Sequence, residues 1–346
     1  MNYTITSADP TSDRGAVLDL WNRNLPGANA DRYDWLYDQG QASGWIARGQ
    51  ADEVVGGAGL MRRRIKVFDG IATAGQAIDL NVDRRHRAFG PAMALGKTVA
   101  GAVDADRCRL IYAFPNQQSE VVFKKAGYRL VGTLGRWAKP LTCEPLVKGR
   151  LAGSLSGRAA VGAANLLLRC SSREGYTRTR GLRCVVHQQF DRRFDGLWER
   201  VSPALPIAGE RTAEYLDWRF RRCRGIDHEV ISVTTQDDEL VAYVVFSRRG
   251  RYVYLDDFLG CDPKYVAVAL AVLLRQARRE GAEAVVTVFL GAARYARLLR
   301  HYGFWQRPSD WKFMIYGSPS RETTDAAGIL DPENWYLTRA DLDTDF

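Results

Sequence analysis

Apolar and polar residues alternate along some stretches of the chain and recur at helical spacing along others. Alternating or continuously apolar stretches predict strands, and apolar residues three to four positions apart predict helices. Up to residue 140 the predicted strands are 2–7, 44–48, 53–64, 74–81 and 110–114, with closing strands from about 127 to 140. A first helix is predicted to begin after Ser12-Asp13. Three more are predicted over residues 31–39, about 91–103, and from 116 to 125. Strands that alternate with helices in this way predict a mixed α/β fold.

One predicted strand leads directly into a basic loop. Its apolar side chains are Ile78, Leu80 and Val82. Asp79 and Asn81 alternate onto the opposite face of the strand, because successive side chains in a strand point to opposite faces.

Residues 141–185 interrupt this order with a segment rich in Gly, Ala, Ser, Leu and Arg. We interpret the segment as a helical connector between two domains. The alternative is a basic amphipathic helix that touches a membrane surface. Frequent glycine and a broken apolar stripe favour the connector.

A second series of strands and helices follows from about residue 190, in the same order as the first. Asp217-Trp218 corresponds to Asp34-Trp35, and Gly303-Phe304 corresponds to Gly127-Tyr128, at nearly equal offsets. Two such pairs in the same order of elements favour an internal duplication. The chain is therefore predicted to contain an N-terminal domain (1–140), a connector (141–189) and a C-terminal domain (190–346).

The 346 residues carry a net charge of +9. This balance suits an anionic partner such as nucleic acid, an anionic membrane or a polyphosphate cofactor. No nucleic-acid-binding signature is present, so no nucleic-acid partner is expected. Six cysteines without a CxxC pair or a His at metal spacing predict reduced thiols and no metal site.

No signal peptide and no apolar run of about 18 residues is found, which predicts a cytoplasmic protein without a transmembrane helix. Peripheral contact with a membrane and the oligomeric state stay open.

The basic loop lies between a strand and an apolar helix. Arg84, Arg85 and Arg87 precede Gly90 and Pro91 at the predicted start of that helix. Backbone N–H groups at a helix N-terminus form an anion site, Gly90 permits close approach, and Pro91 loses no needed N–H there. The spacing alone fits a phosphate cradle and a solvated basic loop equally well.

Residues 87–92, Arg-Ala-Phe-Gly-Pro-Ala, resemble the (Arg/Gln)-x-x-Gly-x-(Gly/Ala) motif of the Gcn5-related N-acetyltransferase (GNAT) superfamily, and Val82 stands five residues before the arginine, as in the family. Residues 116–128 resemble the family's Asn-x-x-Ala-x-x-x-Tyr-x-Lys-x-Gly-Phe block. The resemblance covers residues 1–140 by motif, but residues 190–317 only by element order and Gly303-Phe304. It implies two tandem GNAT-like domains of α/β (α+β, mixed-sheet) class, joined by a basic helical connector, with a degenerate C-terminal repeat.

The resemblance further implies an acyl-CoA cofactor, acetyl-CoA in the first place, and a small-molecule amine as acceptor. The cofactor pyrophosphate would lie on the loop, the pantetheine on the strand backbone before it, and Asn116 would contact the CoA. The implied cofactor residues are Leu80, Asn81, Val82, Arg87, Ala88, Phe89, Gly90, Pro91, Ala92 and Asn116. The amine would attack the thioester directly, with the carbonyl oxygen held by a backbone N–H.

Two departures from the family pattern bear on the chemistry. Phe123 stands where the family has a tyrosine that often protonates the leaving thiolate, and a phenyl ring cannot donate that proton. The loop of residues 258–265 in the second repeat lacks the cofactor signature, so that repeat is expected to supply a wall of the acceptor site or an interface.

An ammonium nucleophile must lose a proton, so a carboxylate is expected near the acceptor amine. Asp79 is the first candidate for the base, and Glu120 is the second; the alternatives are an arginine-paired Asp79 and a Glu120 that only complements a helix dipole. Asp256 and Asp257 are candidates for acceptor binding, or else a solvated pair.

These features predict an N-acetyltransferase. Its favoured acceptor is an amino sugar or nucleotide-linked amino sugar of surface-polysaccharide synthesis, by analogy with tandem GNAT-like enzymes of that kind. The alternatives are a protein or peptide amine acetyltransferase, a non-catalytic regulatory protein that binds a ligand, and aminoacyl transfer from tRNA.

Overall fold

A computed structural model describes residues 3–25, 27–87, 89–105, 108–144, 155–317 and 325–343, and within these ranges sixteen strands join one mixed sheet. The strands are β1 (Thr4–Ser7), β2 (Ala42–Arg48), β3 (Val54–Val67), β4 (Gly70–Val82), β5 (Leu110–Ala113), β6 (Arg129–Thr133), β7 (Gly135–Pro140), β8 (Arg183–His187), β9 (Ile207–Gly209), β10 (His228–Thr234), β11 (Leu240–Arg249), β12 (Tyr252–Gly260), β13 (Ala284–Gly291), β14 (Trp305–Arg307), β15 (Lys312–Gly317) and β16 (Trp335–Leu337). The helices are α1 (Arg14–Asn24), α2 (Ala30–Tyr33), α3 (Phe89–Asp104), α4 (Gln117–Lys125), α5 (Leu155–Cys170), α6 (Arg192–Val201), α7 (Ala213–Phe220), α8 (Pro263–Arg279), α9 (Ala293–His301) and α10 (Asp325–Ile329). The predicted mixed α/β fold is confirmed.

The N-terminal half is built on the long β3–β4 hairpin. Strand β5 runs parallel to β4, and α3 forms the crossover between them. Leu95 and Val99 of α3 pack on one face of the hairpin, and Trp21 of α1 packs on the other. Both faces of this part of the sheet are therefore buried.

The C-terminal half repeats this arrangement with the β11–β12 hairpin, the crossover helix α8 and the parallel strand β13. Trp35 and Trp218, which correspond in the proposed duplication, are both buried and stack with their ring centroids 4.6 Å apart. Such a contact between equivalent positions fits two repeats related by an approximate twofold axis, although the duplication itself stays a prediction.

The two halves exchange strands. Strand β15, late in the chain, lies between β5 and β6 of the first half, and β7 pairs with β13 of the second. The division at residues 140 and 190 stays a prediction, but β7, which ends at residue 140, pairs with β13 of the second half, and β9 of the second half pairs with β3 of the first.

Within the predicted connector, α5 confirms helical structure, and the short strand β8 ends the segment. Residues 145–154 lie outside the described parts of the chain. Glu174, in the turn after α5, is buried and forms ion pairs with Lys139 of β7 and Arg278 of α8. These contacts fix the end of the connector to the second half of the sheet.

The predicted faces of β4 are wrong at one point. Ile78 packs with Trp21 and Tyr37, whereas Leu80 and Val82 pack with Leu95 on the other side of the sheet. The reason is a β-bulge: the register of β4 against β3 shifts by one residue here, and Asp79 has a positive φ of 56°. An extra residue reverses the alternation of the side chains that follow it.

Candidate active site

Strands β4 and β5 separate and leave a cleft at their carboxyl ends. They pair in parallel from Ala74 opposite Leu110 to Ala77 opposite Ala113, after which the bulge turns β4 away and Pro115 cannot continue the ladder. The cleft has a volume of about 300 Å³. Its lining residues are Leu25, Gly27, Ala28, Arg32, Ala77, Ile78, Asp79, Leu80, Phe114, Pro115, Asn116, Ser119, Phe123, Trp311, Leu342 and Asp343.

The basic loop after β4 ends at the N-terminus of α3. Asp83 accepts hydrogen bonds from the side chain and backbone N–H of Arg85, which lower its pKa to about 2 and hold the loop as a short 3-10 turn. Arg87 donates from Nε to the carbonyl of Val82 at 3.1 Å, and its guanidinium group is otherwise exposed near Asn24.

Helix α3 starts at Phe89, so Gly90, Pro91 and Ala92 form its first turn. A Cβ atom built on Gly90 would meet only the ring of Tyr3, at 3.6 Å, so the approach to the backbone is open. Ala88 lies outside the described residues. The geometry is that of an anion site made of helix N-terminal N–H groups beside exposed arginines.

Helix α4 forms the opposite wall of the cleft. Asn116 is its N-cap and accepts from the backbone N–H groups of Gln118 and Ser119. Ser119 and Phe123 lie one turn apart on the face that lines the cleft. Phe123 packs edge-on against Tyr128, with ring centroids 4.8 Å apart. The helix thus presents one hydroxyl group and one phenyl ring to the cleft.

An ion-pair cluster closes the end of the cleft. Arg32 of α2 donates to Asp79 at 2.7 Å and to Asp343 at 3.3 Å, and Tyr37 donates to the second oxygen of Asp79 at 2.9 Å. Arg32 also binds the backbone carbonyl of Asp343. Asp79, the first candidate for the base, therefore has both carboxylate oxygens engaged by strong donors, with a side chain only 6% exposed.

Asp343 is the functional candidate that sequence reasoning missed. Its side chain is 15% exposed, and its carboxylate accepts from Arg32 at 3.3 Å and from Gln76 at 3.4 Å. Burial raises the pKa of Asp343, assisted by the charge of Asp79 and opposed by Arg32. A carboxyl group with a raised pKa is a stronger base than an ordinary aspartate. The only sequence signal was an acidic segment, Asp341-Leu342-Asp343, near the end of a basic chain.

Glu120 does not line the cleft. It forms an ion pair of 2.6 Å with Lys124 one turn along α4, and this bond lowers the pKa of Glu120. The lowered pKa makes it a weaker base than an ordinary glutamate, so the structure favours its alternative interpretation as a residue that stabilises the helix.

Asp256 and Asp257 are both fully buried, which contradicts their interpretation as residues of an open acceptor cleft. Asp257 is bound by Arg211, by Tyr243 at 2.7 Å and by Thr338 at 2.6 Å. Asp256 is bound by Arg339 at 2.8 Å and by Ser247 at 2.7 Å. They satisfy buried cations and hydroxyl groups, because a buried charge must be paired.

The second parallel pair opens in the same way as the first, but the chain itself fills the opening. Strands β12 and β13 pair only as far as Tyr254 opposite Val286. Strand β16 then pairs with β13, and Tyr336 donates to the backbone carbonyl of Phe258 on β12. The segment from β16 to Asp343 therefore crosses the second opening and ends in the first cleft.

No protein-family model matches the sequence, and no curated protein matches it. Solved structures match over 91% of the chain. They include a GCN5-related N-acetyltransferase from Anabaena variabilis ATCC 29413 (TM-score 0.67, 11% identity, 72% of its chain covered) and a probable N-acyltransferase from Enterococcus faecalis V583 (0.63, 9%, 72%). An N-myristoyltransferase from Saccharomyces cerevisiae, with myristoyl-CoA bound, also matches (0.57, 13%, 82%). The chain has the fold of the GCN5-related N-acetyltransferases, as its motifs predicted.

Among the described residues, no helix is long and apolar enough to cross a membrane, and no cluster of three or more His, Cys, Asp or Glu residues is placed to hold a metal ion.

Proposed function

We propose that this protein is an acyl-CoA-dependent N-acyltransferase with one cofactor site in each chain. The observation that carries the proposal is the cleft between β4 and β5. It holds the carboxylate pair Asp79 and Asp343, and β4, which forms one of its walls, leads directly into the basic loop and the N-terminus of α3. The second opening is filled by strand β16, with Tyr336 bonded to Phe258, and is not proposed as a cofactor site.

The cofactor pyrophosphate is proposed to bind the N–H groups at the start of α3, beside Arg87. The pantetheine then follows the free edge of β4 from Val82 to Leu80, where β5 no longer pairs. The bulge at Asp79 interrupts the β3–β4 ladder, and a backbone N–H released by it would suit the thioester carbonyl oxygen. Asn116 faces the cofactor from the other wall.

Asp343 is proposed as the general base, and Arg32 and Asp79 as the residues that position it. The acceptor ammonium group gives a proton to the Asp343 carboxylate, and the free amine attacks the thioester carbon. The tetrahedral intermediate then expels the CoA thiolate. Since Phe123 has no proton to give, the proton released by the new amide nitrogen or a cleft water neutralises the thiolate.

The finer proposal is an acetyl group as donor and an amino sugar, free or nucleotide-linked, as acceptor. A cleft of about 300 Å³ favours a short acyl group, since it must also take the end of the pantetheine. The carboxylates at its end suit an amine. A protein or peptide amine is the alternative acceptor.

Thermal-shift titration with acetyl-CoA tests the cofactor site. A ligand at 100 times its Kd stabilises the folded protein by about 2.7 kcal/mol. Gly90→Asp should abolish the shift, because its carboxylate would occupy the anion site. Gly162→Asp, at an exposed helical glycine with no atom within 4 Å of its built Cβ, should leave the shift unchanged. Absence of a shift in the wild type would refute the proposal.

Release of free thiol from acetyl-CoA tests the reaction, with amino sugars, nucleotide-linked amino sugars and peptides as acceptors. Thiol release with an amino sugar supports the finer proposal, and release only with peptides supports the alternative acceptor. Stabilisation by acetyl-CoA, with no release of thiol from it in the presence of any acceptor, would favour a regulatory ligand-binding protein. Phe123, which cannot protonate the thiolate, is consistent with that alternative.

A further inference from the structure

A basic and aromatic cleft adjoins the proposed active site. It has a volume of about 730 Å³ and lies on the exposed face of five adjacent strands: β14, β7, β13, β12 and β11. The described residues that line it include four arginines and no carboxylate. The arginines are Arg136, Arg249, Arg307 and Arg339, and the aromatic residues are Trp137, Tyr252, Tyr254 and Trp311.

Two of these arginines face each other directly across the sheet. Arg136 of β7 is the register partner of Arg307 on β14, and both side chains are exposed. Among the described residues, no carboxylate forms an ion pair with either of them. Like charges at directly opposite positions destabilise a sheet. An anion between them would offset this repulsion, because a guanidinium fork matches phosphate oxygens.

The other side of the cleft stacks cations on an aromatic ring. The guanidinium groups of Arg249 and Arg339 lie 4.7 Å and 5.0 Å from the ring centre of Tyr254. Arg339 is held from behind by the buried carboxylate of Asp256. Tyr252, two residues before Tyr254 on the same face of β12, is 44% exposed, so its ring is accessible for stacking.

This cleft is a neighbour of the proposed cofactor cleft. Trp311 lines both of them. Arg339 lines the basic cleft and Leu342 lines the cofactor cleft, and three residues of chain span at most about 11 Å. A ligand in the basic cleft can therefore extend past Trp311 towards Asp343.

We infer that the basic cleft binds the diphosphate and the nucleobase ring of the acceptor. Arg136 and Arg307 bind the phosphates, and the two tyrosines stack against the nucleobase. This inference rests on the proposed function, because it treats the cleft as the outer part of the acceptor site. The acceptor class is accordingly a nucleoside diphosphate that carries an amine-bearing group, with the amine at Asp343.

Isothermal titration calorimetry with uridine diphosphate, on protein saturated with CoA, tests the inference. Saturation excludes binding at the cofactor loop, which also accepts phosphates. Uridine diphosphate should bind, its affinity should fall as salt is raised, and uridine without phosphate should not bind. The double variant Arg136→Gln/Arg307→Gln should lose at least about tenfold in affinity, as expected when two charge-assisted contacts are removed.

The control variant Arg180→Gln/Arg192→Gln removes the same charge at exposed positions outside the cleft and should leave the affinity unchanged. Both variants should keep the thermal shift with acetyl-CoA, which shows that they fold. Equal affinity in the wild type and the Arg136/Arg307 variant, or binding of uridine as tight as that of its diphosphate, would overturn the inference. A missing acetyl-CoA shift in the wild type would instead refute the proposed function, so the two failures are distinguishable.

Discussion

At the scale of single residues, the proposed chemistry depends on one contact between distant parts of the chain. Arg32 and Asp343, 311 residues apart in sequence, meet at the end of the cleft. The proposed cofactor loop was predictable, because its residues are consecutive and form a motif. The proposed base was not, because no local pattern indicates which of many aspartates a buried arginine will contact. The bulge at Asp79 was not predictable either, because apolar and polar residues continue to alternate in the sequence from 78 to 82 although the bulge reverses the faces on which their side chains lie.

Asp343→Asn should lower kcat about 10²- to 10⁴-fold, the usual contribution of general base catalysis. The thermal shift with acetyl-CoA should be unchanged, because the amide keeps its place beside Arg32 and the cofactor loop is not altered. Asp237→Asn, at an exposed position, is the matched control. A variant with wild-type kcat would rule out Asp343 as the base.

The pH dependence of kcat gives a second measure of the same residue. The base acts only when ionised, and burial raises the pKa of Asp343. The acid limb of kcat, at saturating acceptor, should therefore lie above the ordinary aspartate pKa of about 3.9. Activity should be present above this limb and lost as pH falls through it. An acid limb at the ordinary value, or one retained unchanged in Asp343→Asn, would contradict the assignment.

At the scale of elements, the order of strands and helices followed from the pattern of apolar residues, since alternating positions indicate strands and positions three to four apart indicate helices. What the pattern could not show is how the connector is held. Lys139, on a strand of the first series, and Glu174, beyond α5, form a buried pair of 2.7 Å, and burial lowers the pKa of Lys139. Sequence contains no signal for a pairing between two such separated residues.

Glu174→Gln should reduce the free energy of unfolding by about 3–5 kcal/mol, because it leaves a buried ammonium group without its counter-charge. Urea denaturation measures the change. Glu199→Gln, at an exposed position of α6, should change stability by less than about 0.5 kcal/mol. The double variant Lys139→Met/Glu174→Leu should recover the part of the loss that comes from the unpaired Lys139, while Arg278 stays without its carboxylate partner. No recovery at all would show that the pair of Lys139 and Glu174 is not the source of the effect.

At the scale of the whole molecule, strand exchange makes each half depend on the other. Two repeats could be proposed from matching sequence pairs, but the insertion of β15 between β5 and β6 could not. Strand pairing between distant segments leaves no mark in local periodicity. The buried chain of ion pairs from Arg63 of β3 through Asp341 and Arg211 to Asp257 of β12 links the halves further.

Residues 1–140 expressed alone should therefore fail to form a stable domain. Without β15, the facing edges of β5 and β6 lose their hydrogen-bonding partner, and Ile111 and Tyr112 lose part of their cover. Circular dichroism during heating should show no cooperative transition, and acetyl-CoA should not change the thermal unfolding curve of the fragment. The full chain is the control. Cooperative unfolding of the fragment would instead establish 1–140 as an independent domain.

The segment from β16 to Asp343 affects which substitutions this sequence can accept during evolution. Tyr336 and Thr338 pack in the opening that the chain itself fills, and they anchor the segment that carries Asp343 to the first cleft. Substitutions around that opening will therefore be selected through turnover in the other half and not through ligand affinity. Their effects should be epistatic with those at Arg32, because both act on the same carboxylate.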